Sequence, residues 1–183
     1  MKVLVCGSWE NHKANLFAKE SRLLGKLLAE SGFDVVLGSG TGVARFVLEG
    51  FNSVPSHGKS IFYLPDLIEM KRVGEELAQG ADIVVQTGVD YPSRNLIQIK
   101  LCDALAVIGG ADATVSEIIN AILDYKKPVA VLDKSGPVSA IVRMLPKTGS
   151  KVFLAKSVKN MLEFLHLMEN SPQTHASASI HTA

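Results

Sequence analysis

Asp34-Val35-Val36-Leu37-Gly38-Ser39-Gly40-Thr41-Gly42-Val43-Ala44-Arg45-Phe46-Val47 sets a short aliphatic run directly before three glycines in five positions, then settles into helical spacing. A strand buried on both faces reads in this near-continuous apolar way, as parallel strands covered by helices do. A glycine turn that leads from such a strand into a helix is the joint of an α/β unit. The same pattern runs outward in both directions. Val3–Val5, Ile61–Leu64, Ile83–Val85, Leu105–Ile108, Val129–Leu132 and Val152–Leu154 read as further strands. Between them lie apolar stripes of helical period, Leu23, Leu24, Leu27 and Leu28 in one, and Val115, Ile118, Ile119, Ile122 and Leu123 in another. Gly32 stops the first of these helices, and Ser157 is a good N-cap for the last, which turns Val158, Met161, Leu162 and Leu165 inward. The expected fold is a single Rossmann-like α/β domain over residues 1–169, with a doubly wound, mostly parallel sheet and helices on both faces. Residues 170–183 are small, polar and aperiodic and read as a disordered tail.

Composition narrows the function classes. Of 183 residues, 47% are hydrophobic, enough for a sizeable core, and 19 basic against 18 acidic residues leave a net charge of +1. That balance carries no footprint for a nucleic acid polymer or an anionic membrane. Cys6 and Cys102 sit in apolar stretches with no CxxC or Cys/His spacing, so neither a disulfide framework nor a metal site is expected. The apolar run after Met1 is too short for a signal peptide, and no segment approaches the roughly 20 apolar residues of a membrane span. These features read as a soluble cytoplasmic protein.

Ligands of open parallel sheets bind beyond the carboxyl ends of the strands, and four such places carry suggestive residues. Gly7 and Ser8 follow the first strand, where a plain strand-to-helix turn is an equal alternative. Gly38, Gly40, Thr41 and Gly42 follow the second, where backbone N–H groups and a helix N-terminus make an anion site, with a tight packing turn as the less favoured alternative. This turn is not GxGxxG, and Gly58-Lys59-Ser60 lacks the leading glycine of a Walker motif. No cofactor motif is therefore present. Gly109 and Gly110 follow the fifth strand and precede Thr114-x-x-Glu117, whose pattern alone favours a capping box over a ligand site. Arg94 opens a helix, a position that opposes the helix dipole and so suits an anion or a carboxylate, with a solvated arginine as the alternative.

Taken together these residues resemble the LOG family of cytokinin-riboside-monophosphate phosphoribohydrolases and the wider group that includes molybdenum-cofactor carrier proteins. Cys6-Gly7-Ser8 is similar to the family's CGSS turn, and Val36 to Gly42 to its YGGGxxGLMG loop. Arg94 falls on the arginine of the RK pair, Cys102 to Ile108 on the xDAFIAL strand, and Gly109 to Glu117 on PGGxGTxxE. Lys127-Pro128-Val129 resembles the later KPV strand start. The resemblance implies a nucleoside 5′-monophosphate N-glycosidase with Glu117 and Arg94 as catalytic residues and the phosphate at the N–H groups of Ala113 and Thr114. It implies a phosphorylated small molecule, a nucleotide, as partner, and a homodimer. The alternative is a non-catalytic nucleotide or molybdenum-cofactor-type carrier, and a third possibility is an interaction protein that kept only the fold. Departures bear on the choice. Asn95 replaces the lysine after the arginine, Ala111 and Ala113 replace loop glycines, and Asp112 adds a negative charge. Val43-Ala44-Arg45 replaces LMG, with Arg45 placed to restore positive charge.

Overall fold

In the computed structural model, which describes residues 1–144 and 151–171, seven strands form one parallel sheet. They are β1 (Lys2–Gly7), β2 (Asp34–Leu37), β3 (Ser60–Leu64), β4 (Ile83–Gln86), β5 (Ala104–Ile108), β6 (Val129–Leu132) and β7 (Val152–Ala155). Their order is β4-β3-β2-β1-β5-β6-β7. The chain thus winds one way from β1 through β4, then returns to lay β5 on the other side of β1. Val3 pairs with Val35 on one side and with Ala104 on the other. That reversal between β1 and β5 is the switch point at which a doubly wound sheet opens a crevice.

Among the described residues, α-helices α1 (Asn11–Ala14), α2 (Ala18–Glu30), α3 (Val43–Phe51), α4 (Leu67–Val73), α5 (Tyr91–Leu101), α6 (Asp112–Leu123) and α7 (Pro137–Met144) lie between the strands, and α8 (Val158–Glu169) follows the last. Alternation along each strand divides the core in two. Val3, Val5, Val35, Leu37, Ala106 and Ile108 face α2, α3 and α8. Leu4, Cys6, Val36, Leu105 and Val107 face α5, α6 and α7. The doubly wound parallel sheet expected from the sequence is the fold observed.

Helix ends follow local chemistry. Gly32, at φ +70°, ends α2, with its N–H donating to Ala29 O and that of Phe33 to Leu28 O. Ser157 caps α8 by accepting from Asn160 N at 3.2 Å. Two expectations fail in detail. β4 is an edge strand, so Ile83 and Val84 are exposed where the apolar run suggested an interior strand. On α6 only Thr114, Ile118 and Ala121 are buried, and Ile119 and Leu123 face outward, because the stripe is wider than the contact α6 makes with the sheet. The tail expected over 170–183 lies, beyond Ser171, outside the described residues.

Candidate active site

At the carboxyl end of the sheet a cavity of about 450 Å³ opens over the switch point, within the usual range for a ligand site. Gly7 ends β1 there. A methyl group on it would stand 2.3 Å from Ile108 O and 3.0 Å from Val43 Cγ2, so its small size lets β1, β5 and α3 converge. Ser8 accepts from Val43 N at 2.9 Å, and the indole of Trp9 is 55% exposed at the mouth.

α5 supplies the cation. Asp90 caps it by accepting from Ser93 N at 2.8 Å, and Arg94 and Gln98, four residues apart, point together under the strand ends. Gln98 Nε2 donates to Leu37 O at 2.8 Å and Arg94 Nη1 to Tyr63 O at 3.2 Å. Arg94 is only 7% exposed, so the solvated alternative does not hold. Its Nη1 lies 2.7 Å from where a Cβ on Gly38 would be, so Gly38 makes room for the guanidinium. Burial pulls the Arg94 pKa down, opposed by Glu117 and then Glu75, whose charges favour the guanidinium.

α6 supplies a carboxylate. The capping box is not formed, because the helix starts earlier than the Thr114-x-x-Glu117 pattern suggests. Ala111 is the N-cap, Thr114 is buried in the first turn, and Glu117 lies in the second. The first intrahelical bond is Val115 N to Ala111 O, which leaves the N–H groups of Asp112, Ala113 and Thr114 outside the helical ladder. Positive φ falls on Gly109 and Gly110, whereas Ala111 has φ −137°, so Ala111 does not strain the backbone. Glu117 is partly buried beside Cys6 and Arg94. Burial raises its pKa, against the lowering effects of Arg94 and a hydrogen bond from Cys6. Burial, and next the Glu117 charge, push the Cys6 thiol well up, which keeps it a neutral donor.

Of the residues singled out from sequence, Gly7, Ser8, Gly38, Gly40, Thr41, Arg94, Thr114 and Glu117 line the cavity. Gly42, Gly109 and Gly110 do not. A Cβ on Gly42 would strike Ser8 O at 2.1 Å, and Gly109 N donates to Ser135 Oγ at 3.0 Å, so both serve turns behind the cavity wall. Arg45 does not restore positive charge at the site either. It lies 4.6 Å over the Phe46 ring and 3.9 Å from Glu49.

The sequence reading missed Glu75. It follows Gly74 at the end of α4, and its Oε1 accepts from Ser39 Oγ and from Thr41 Oγ1 at 2.6 Å. Its Oε2 accepts from the Tyr91 hydroxyl, and burial followed by that hydrogen bond holds the phenol well above its usual range. With Glu10, Asp112 and Glu117, it makes four carboxylates against one guanidinium around the cavity.

Solved structures share this fold. TM1055, a structural genomics target, superposes with a TM-score of 0.80 at 23% identity, over 91% of this chain and 98% of its own. The molybdenum cofactor carrier protein of Chlamydomonas reinhardtii gives 0.77 at 22%, over 93% and 98%. The molybdenum cofactor binding protein of the phototrophic bacterium Rippkaea orientalis gives 0.70 at 22%, over 92% and 95%. Among curated proteins none matches significantly. The model of the SLOG cluster4 family matches residues 1–162, and this chain, with its switch-point cavity and strand-end glycine turns, belongs to that family.

Proposed function

We propose that the cavity binds a nucleoside 5′-monophosphate and hydrolyses its N-glycosidic bond, releasing free base and ribose 5-phosphate. The observation that carries this reading is the pairing of Glu117, a partly buried carboxylate of raised pKa, with the buried guanidinium of Arg94 in one cavity. A carboxylate of raised pKa holds or takes a proton near neutral pH, as general acid–base work requires. Water adds its oxygen to the anomeric carbon as the carbon–nitrogen bond breaks. Glu117 takes the water's proton, stabilises the oxocarbenium-like transition state and passes that proton to the departing nitrogen, which leaves as the neutral base. Arg94 orients Glu117 and offsets ligand charge. The exposed face of Trp9 offers the base a surface to stack on.

The test is incubation with a panel of purine and pyrimidine nucleoside monophosphates, reading free base. Wild-type protein releases base, and Glu117→Ala reduces release by about 10²-fold or more, the scale of a lost general acid–base group. Binding without turnover would favour the second reading, a non-catalytic carrier of a phosphorylated cofactor. One observation supports that alternative: structural neighbours are named as a carrier protein and a binding protein of the molybdenum cofactor.

We propose also that the chain forms a homodimer through α5 and α6. These helices pack on one another and expose Leu96, Leu101, Ile119 and Leu123. Scattered exposed apolar residues need no explanation, but three leucines and an isoleucine on two adjoining helices offer apolar surface that a second copy would cover.

A further inference from the structure

We propose that the ligand's anionic group binds at the hydroxyls of Ser39, Thr41 and Tyr91, which the chain's own Glu75 carboxylate occupies and from which the ligand displaces it, and that it reaches on to Arg94 in the same cavity. The inference rests on the reading of the cavity as a site for a phosphorylated ligand, and it states where the phosphate goes.

The donor set is that of an oxyanion site. Three hydroxyls, from Ser39, Thr41 and Tyr91, converge on one carboxylate. Ser39 is 1% exposed, which places its hydroxyl in the wall of the cavity. Arg94, the cation of the cavity, has a buried Nε with no hydrogen-bond partner among the described residues. A buried guanidinium N–H left unpaired costs free energy that a phosphate oxygen would recover.

The donors and the carboxylate are held very differently. Ser39 and Thr41 lie in the turn between β2 and α3, and Tyr91 and Arg94 lie on the first turns of α5. Glu75 opens the stretch 75–79, which belongs to no helix or strand and runs between two glycines of positive φ, Gly74 at +69° and Gly80 at +99°. Nothing stands within 4 Å of a Cβ on Gly74, and only Asn52 and Leu48 approach one on Gly80. The strap is fastened to the glycine turn by the Glu75 carboxylate and by Ala78 N donating to Ser39 O at 2.9 Å. Glycine at both ends allows the strap to swing while the donors stay in place.

The rival position for a phosphate is the start of α6, and it is the poorer one. Asp112 brings a carboxylate to that first turn, and Ala111 and Ala113 present methyl groups there. At the Glu75 position one anion replaces another, so the hydroxyls of Ser39, Thr41 and Tyr91 are never left without an acceptor.

The sole tryptophan, Trp9, lines the cavity and reports binding by its fluorescence. Inorganic phosphate and adenosine 5′-monophosphate are titrated into wild type, Glu75→Ala, Glu75→Gln and the Ser39→Ala/Thr41→Val double variant. If the latch is closed about nine-tenths of the time, its removal tightens apparent phosphate affinity about tenfold. Both Glu75 variants are expected to show that gain, and the double variant a loss. Unchanged or weaker phosphate binding in Glu75→Gln with native circular dichroism overturns the proposal, as does phosphate binding that the double variant leaves intact. Should Glu75→Ala disturb the strap, Glu75→Gln keeps the side chain's shape and decides alone. Base release is a separate readout. Tighter phosphate binding in Glu75→Gln without base release by the wild type keeps this subsite and sinks the glycosidase, and the reverse result does the opposite.

Discussion

Glu117 owes its raised pKa chiefly to burial, and that has a consequence for stability. Between its ordinary value of 4.5 and its higher folded value, the folded chain binds more protons than the unfolded one, so stability falls as pH rises through that window. Glu117→Gln removes the group. The unfolding free energy of this variant, followed through its melting temperature, is expected to gain on wild type from pH 4.5 upward and then level off, with a slope of at most about 1.4 kcal/mol per pH unit. A difference constant with pH, read by thermal melts in matched buffers, would show that burial does not burden the carboxylate. The sequence made Glu117 visible through its spacing from Arg94, and it suggested the wrong local role, because Thr114-x-x-Glu117 is also a capping pattern. Glu75 was not visible at all. Its partners Ser39 and Thr41 lie 36 and 34 residues away, and no local pattern announces a contact that only the fold creates.

Among the elements, α2 and α3 make the tightest crossing. A Cβ on Gly25 would lie 1.9 Å from Val47 O, and one on Gly50 would lie 1.9 Å from Arg22 O, so each helix backbone rests on the other's glycine. Backbone cannot yield as a side chain can. Gly25→Ala is therefore expected to cost about 3 kcal/mol or more despite its better helix propensity, read as a shift in the urea midpoint. This crossing fixes α3 against α2, and α3 opens directly from the glycine turn that carries Ser39 and Thr41. Strands were easier to read than these crossings. Each of the seven apolar runs became a strand, since burial on both faces demands such a run. β4 shows the limit: Ile83 and Val84 read like an interior strand, and only the sheet order puts them at an edge.

For the whole molecule, the exposed apolar face of α5 and α6 predicts association. Sedimentation should give twice the 19.6 kDa chain mass, and Ile119→Glu with Leu123→Glu should reduce it to one chain with circular dichroism unchanged. A monomeric wild type at micromolar concentration would leave that face to another partner. No described helix is long and apolar enough to cross a membrane. The sheet order that opens the cavity also sets a timetable for biosynthesis. β1 is made first, yet one of its edges waits for β5, with Val3 pairing Ala104 and Gly7 pairing Ile108. Until residue 108 has left the ribosome, the strand that will be central carries an open edge, the feature that invites mispairing with other chains. Nascent chains stalled short of β5 should thus depend on chaperones, and release from that dependence should coincide with the cavity coming into being.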